Sequence, residues 1–174
     1  MSETISERDL QITFTDDWIA IKWDECAFRK RREQYGKAAD IVAVRGDAPE
    51  RGNFVFEIKD YPDHPLASVH APKELAAICV EKVRDTLAQL IHSPPIVGRP
   101  DEEPVDSVCR AFGSTDYPLN VVVWIEDAND PPLEITELQE ELERAFRWLP
   151  TRGVTAATAD DLNVLSGVSA RRAS

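Results

Sequence analysis

The sequence predicts an α/β protein, a central mixed sheet with helices on its faces. Three observations predict it. Two apolar, β-branched runs, "DIVAV" and "FVFEIKDY", are joined by a short segment rich in Gly, Asp and Pro. They are followed by an amphipathic stretch, "KELAAICVEKVRDTLAQLIH", long enough for a helix of several turns. A later run, "LNVVVWIED", is apolar on both faces, as a strand inside a sheet should be. The chain has 174 residues, and its 43% apolar content suffices for a core. Residues 1–160 are read as a single domain and 161–174 as a C-terminal tail.

The elements follow in order. "LQITF" alternates and reads as a short strand. "WIAIKWDE" alternates too, Trp18, Ala20, Lys22 and Asp24 opposing Ile19, Ile21, Trp23 and Glu25. It runs into the helix-competent "CAFRKRREQY", closed by Gly36. "AADIVAVRG", the turn "GDAPERGN" and "FVFEIKDY" read as a hairpin. In the long helix Leu75, Ile78, Cys79, Lys82 or Val83, Thr86, Leu87 and Leu90 recur at helical spacing, with Pro72 in the first turn and Pro94 and Pro95 beyond the end. After the loop "IVGRPDEEP", "VDSVCRAFG" reads as a short helix and "LNVVVWIED" as the central strand. "PLEITELQEELERAFRWL" carries Leu138, Leu142, Ala145, Phe146 and Leu149 on one stripe, "VTAATA" is a last strand, and "SGVSARRAS" reads as a frayed tail.

The formal charge is −12, so any surface for a polyanion must be local. Arg29, Lys30, Arg31 and Arg32 stand together in "FRKRRE", while the acidic excess sits in "GRPDEEPVD", "WIEDANDPP" and "ITELQEELE". Cys26, Cys79 and Cys109 are far apart and lack any zinc-ligand spacing, which fits a reducing compartment. The opening "MSETISERDLQITF" has no basic segment leading into an apolar one, and no window is long enough to span a bilayer. The expectation is a cytoplasmic protein with no membrane partner.

Chemistry concentrates around the hairpin. Along "FVFEIKDY" side chains alternate, so Glu57 and Lys59 share one face and Asp60 lies on the other. A turn near residues 47–52 pairs positions whose numbers sum to about 99, which sets Asp40 opposite Lys59 and gathers Asp40, Glu57 and Lys59 at one end of the sheet. Two neighbouring carboxylates repel unless a cation lies between them. A hard ion such as Mg²⁺ meets that need with one or two carboxylates plus waters and substrate phosphate. A lysine beside it can position the attacking water or stabilise developing negative charge.

"ADIVAV", the turn and "FVFEIKDY" together resemble the core of the PD-(D/E)xK nuclease superfamily, the restriction-endonuclease-like fold. The resemblance covers residues 17 to 127 or thereabouts, and implies an αβββαβ core: a helix, a β-meander carrying Asp and Glu-x-Lys, a helix and a further strand. Ala39 stands where the family name has proline. The resemblance implies Asp40 and Glu57 as ligands of Mg²⁺ or Mn²⁺, Lys59 as the water-positioning residue, and a further acid near the first helix, for which Glu25 is the first candidate and Asp24 the second. It also implies a basic residue projected toward substrate from the helix after the hairpin, Lys82 before Arg84.

Each of these residues also has a plainer reading. Asp40, Glu57 and Lys59 could form a salt bridge on a half-exposed strand, Glu25 could serve the helix dipole, and the Arg29–Arg32 run could be a solvated helix face. His64 and His70 flank the loop after the motif, and Trp23, Trp124 and Trp148 read as core anchors. The expectation is a Mg²⁺-dependent nuclease acting on nucleic acid, DNA before RNA. Its small size and acidity point to work beside a larger partner, such as an ATPase subunit of a restriction or defence complex, with a homodimer as a further option. The alternative is a non-catalytic subunit docking through "ITELQEELERAFRWL".

Overall fold

Alternating and β-branched runs become strands, and the two strongest amphipathic runs become helices. The computed structural model describes residues 2–26, 36–46, 51–61, 71–92, 103–127, 135–162 and 165–172. In chain order the elements are β1 (Glu3–Glu7), β2 (Leu10–Phe14), β3 (Trp18–Lys22), β4 (Ile41–Arg45), β5 (Gly52–Tyr61), α1 (Pro72–Ile91), α2 (Glu103–Phe112), β6 (Leu119–Asp127), α3 (Ile135–Ala145), β7 (Thr151–Ala157), α4 (Ala159–Leu162) and β8 (Val168–Arg172). The basic segment Arg29, Lys30, Arg31 and Arg32, with the helix expected around it, lies outside the described residues, as do His64 and His70.

A five-stranded mixed sheet runs in the order β3-β4-β5-β6-β7. β3, β4 and β5 are antiparallel neighbours, whereas β5, β6 and β7 are parallel. On one face Val42, Val55, Val121 and Val123 pack against Leu75 and Val83 of α1, Val108 of α2, and Leu138 and Leu142 of α3. On the other face Ile41, Ala43, Phe56, Val122 and Trp124 pack against Ile12, Phe14 and Ala170. β6 is therefore buried on both sides, as its unbroken apolar run requires.

The second face departs from expectation, because a small antiparallel sheet in the order β1-β2-β8 covers it, together with the four-residue α4. Residues 168–172, read from sequence as part of a frayed tail, form β8 and pair with β2 from Leu10–Arg172 to Phe14–Val168. Val168 and Ala170 point inward and the residues between them outward, so two small apolar side chains are enough to seat the strand. Among the described residues no helix is long and apolar enough to cross a membrane.

Candidate functional site

α1 fixes the approach to β4. Its buried stripe faces the sheet, but Thr86 and Gln89 lie on the same side and hold the chain just before the strand. Ala39 N–H donates to Thr86 Oγ1 at 2.9 Å, and Gln89 Nε2 donates to Lys37 O at 3.2 Å. Gln89 Oε1 also accepts from Trp23 Nε1 at 2.9 Å, and Trp23 N–H donates to Asp40 O at 2.8 Å. Asp40 is thereby pinned at the mouth of β4 between β3, β5 and α1.

The register across the hairpin differs from the one expected. Ile41 pairs with Phe56 and Ala43 with Phe54, so one step further Asp40 falls opposite Glu57 rather than Lys59. The pairing of the two strands is shifted by two residues from the one the sequence predicts. Residues directly opposite share a face, and both carboxylates consequently point toward the helix layer. Asp40 Oδ2 accepts the Ile58 N–H at 2.5 Å, which fixes its rotamer against β5.

Four charged side chains meet here. Lys82, one helical turn after Cys79, reaches Glu57 Oε1 at 2.6 Å and Asp40 Oδ1 at 3.4 Å. Lys59 Nζ binds the same Glu57 Oε1. The Glu57 side chain is 0% exposed, and its second oxygen, Oε2, has no hydrogen-bond partner. Burial, and then the Asp40 charge, push the Glu57 carboxyl above its ordinary range, while Lys59 and Lys82 pull it back. Burial pulls the Lys82 ammonium down, but Glu57 and Asp40 together outweigh it and hold it above its ordinary value. Asp24 is raised as well, by burial and then by the charges of Asp40 and Glu7, so it belongs to the same acidic neighbourhood.

Of these groups Asp40, Lys59 and Lys82 line a polar cavity of about 200 Å³, together with Glu7, Arg8, Ile58 and Asp60, while Glu57 lies buried behind them. The structure thus brings together Asp40, Glu57, Lys59 and Lys82. Glu25 instead binds Lys22 Nζ at 2.7 Å with its side chain 61% exposed. Arg84 binds its neighbour Asp85 at 2.9 Å, with its own side chain 60% exposed. Arg84 follows Lys82 by two residues, which sends it to the other side of the helix. Glu7 and Arg8 escaped the sequence reading, although two alternating runs separated by only two residues carry a hairpin signal.

Asp40 and Glu57 are the residues that could hold a hard divalent cation. Among the described residues no group of three or more His, Cys, Asp and Glu is set for a metal. Two carboxylates nonetheless suit Mg²⁺, which keeps most of its waters, and the orphaned Glu57 Oε2 is an acceptor awaiting a partner. Comparisons with protein-family models, with curated proteins and with solved structures gave no match.

Proposed function

We propose that the chain is a metal-dependent nuclease of the PD-(D/E)xK type that hydrolyses phosphodiester bonds of nucleic acid, DNA before RNA. One observation carries this reading: a buried glutamate with an unpartnered oxygen lies opposite an aspartate, with two lysines at the same place, beside a polar cavity. The order meander, helix, strand in β3–β4–β5, α1 and β6 supports it.

When bound, Mg²⁺ or Mn²⁺ supplies Lewis acidity toward a phosphoryl oxygen and a water of lowered pKa. Asp40 and Glu57 hold it. Lys59, whose ammonium lies at the cavity, orients the attacking water and offsets negative charge that develops on the phosphoryl oxygens. Lys82 sets a positive charge against both facing carboxylates. Glu25 is turned to Lys22 instead, and no third acid joins Asp40 and Glu57 among the described residues. The acidic chain engages substrate as part of a larger assembly, such as an ATPase-containing restriction or defence complex, or as a homodimer.

The second reading, a non-catalytic subunit, is favoured by the closure of the charge group upon itself, each Glu57–lysine contact being satisfied without any ligand. Cleavage assays separate the two. Single- and double-stranded DNA and RNA are offered with Mg²⁺ or Mn²⁺ and with EDTA to the wild type, Glu57→Gln and Lys59→Ala. The nuclease reading expects metal-dependent products that fall by about 100-fold or more in both variants. No products with any substrate would leave the non-catalytic reading.

A further inference from the structure

The cavity has a wall that lies outside the Asp40, Glu57 and Lys59 set. β1 and β2 form a hairpin with Glu7 paired to Leu10, so Arg8 and Asp9 make a two-residue turn. That turn sits at the end of β5, and Arg8 lines the cavity with Lys59 and Lys82. The hairpin is anchored there from both sides. Lys22 Nζ donates to Ser6 O at 2.8 Å and pairs with Glu7 Oε2 at 3.0 Å. Arg8 Nη1 donates to the main-chain oxygen of Asp60 at 3.2 Å.

The Asp60 carboxylate is engaged by Arg172 of β8 at 2.9 Å and also feels the charge of Arg8. Arg8 forms no salt bridge among the described residues, and its hydrogen bond to Asp60 O leaves most of its five N–H donors for another acceptor. Its backbone is also unusual. Arg8 has φ of 51° and is the sole non-glycine residue with positive φ among those described. Two-residue hairpin turns need positive φ at the first central position, where glycine is favoured and an arginine is strained. The turn thus holds Arg8 at the cavity, with guanidinium N–H groups left over to meet an acceptor there.

We propose that Arg8 is a substrate-binding residue that grips a phosphate of the nucleic-acid backbone lying across the cavity, adjacent to the bond that is cut. The inference rests on the nuclease reading. A guanidinium suits this task because its planar fork meets two phosphate oxygens at once. In a chain of charge −12, phosphate affinity has to be local, and in this cavity the cations are Arg8, Lys59 and Lys82, beside the acids Glu7, Asp40 and Asp60.

The test uses Arg8→Gly, Arg8→Gln and Arg8→Lys. Arg8→Gly removes the guanidinium and relieves the left-handed φ, so it should unfold at an unchanged or higher temperature. Arg8→Gln keeps the side-chain stem without the charge and checks that any loss is not a matter of turn geometry. Cleavage kinetics are read with Mg²⁺ on single- and double-stranded DNA and on RNA, and binding is read by fluorescence anisotropy at several salt concentrations in a Lys59→Ala background. Arg8→Gly and Arg8→Gln should raise KM about tenfold with kcat little changed, the loss of one charge-assisted contact. The slope of log K against log salt should fall by about 0.7 for a single strand or 0.9 for a duplex. Arg8→Lys should keep the slope and recover part of the affinity. Cleavage by the wild type with unchanged KM and slope in both uncharged variants would overturn the role of Arg8 alone. A wild type that neither binds nor cuts any of these nucleic acids would overturn the nuclease reading and this inference with it.

Discussion

Lys82→Met keeps the aliphatic stem of the lysine and removes its ammonium, leaving Lys59 as the one cation on Glu57. Removing one partner of a buried ion pair costs about 3–5 kcal/mol. Two features lower that figure. The Lys82 side chain is 20% exposed, so part of its attraction is screened by water. Lys59 also remains on the same glutamate oxygen. A loss of about 2 kcal/mol is therefore expected at neutral pH, within the range of about 1.5–3 kcal/mol for a charge-assisted hydrogen bond. For a chain of this size that lowers Tm by roughly 4–8 °C.

The pH dependence of the same variant is the sharper measurement. Burial and Asp40 raise the Glu57 carboxyl, so the native state binds its proton more tightly than the unfolded chain does. For a raised acid the stability contribution is full below the unfolded value and is lost as pH rises through the native one. Removing Lys82 raises Glu57 further and deepens that loss. The difference between Lys82→Met and wild type should accordingly fade as pH falls toward the ordinary glutamate value of about 4.3. Thermal unfolding followed by circular dichroism, at neutral pH and near pH ~4, checks this. A variant as stable as wild type at neutral pH, or one equally destabilised at both, would refute the reasoning.

Two further outcomes are expected. The Cys79 thiol is fully buried and pushed up to about 12, chiefly by burial, so a thiol reagent should label the half-buried Cys26 first and Cys79 only as the chain unfolds. Mass spectrometry of partly labelled protein reads the order, and early labelling of Cys79 would contradict its burial on the inner face of α1. Ala170→Asp sets a carboxylate on the inner face of β8 and should destabilise by roughly 2 kcal/mol or more, measured by urea unfolding. An unchanged midpoint would return residues 168–172 to the status of a tail.

Much of the central sheet is legible in the sequence because its signals are local. "DIVAV" and "FVFEIKDY" alternate or run apolar beside a turn, and α1 carries its stripe over five turns or so. Of the two helix cations that the sequence offers, Lys82 and Arg84, Lys82 is the one that meets Glu57. The register was not legible to the residue. The shift moves the partner of Asp40 from Lys59 to Glu57 and leaves the faces unchanged, because it is even.

The small sheet was missed for a different reason. β1 and β8 are five-residue strands with one and two buried side chains, too little apolar pattern to stand above loop composition. β8 finds its partner β2 across nearly the whole chain, and no local signal encodes such a pairing. Glu25 shows the complementary failure. The strand read through "WDE" ends at Lys22, and in the turn that follows Glu25 pairs with Lys22, a contact that alternation along a strand does not encode.

The central claim is that Asp40 and Glu57 together form a divalent-cation site. Isothermal titration calorimetry with Mn²⁺, on wild type, Asp40→Asn and Glu57→Gln, tests it most directly. Saturable binding by the wild type that is abolished in both variants, with both still folded by circular dichroism, is the expected result. Absence of binding in the wild type, or binding that persists in either variant, would contradict the claim and leave the four charged side chains as a structural ion cluster.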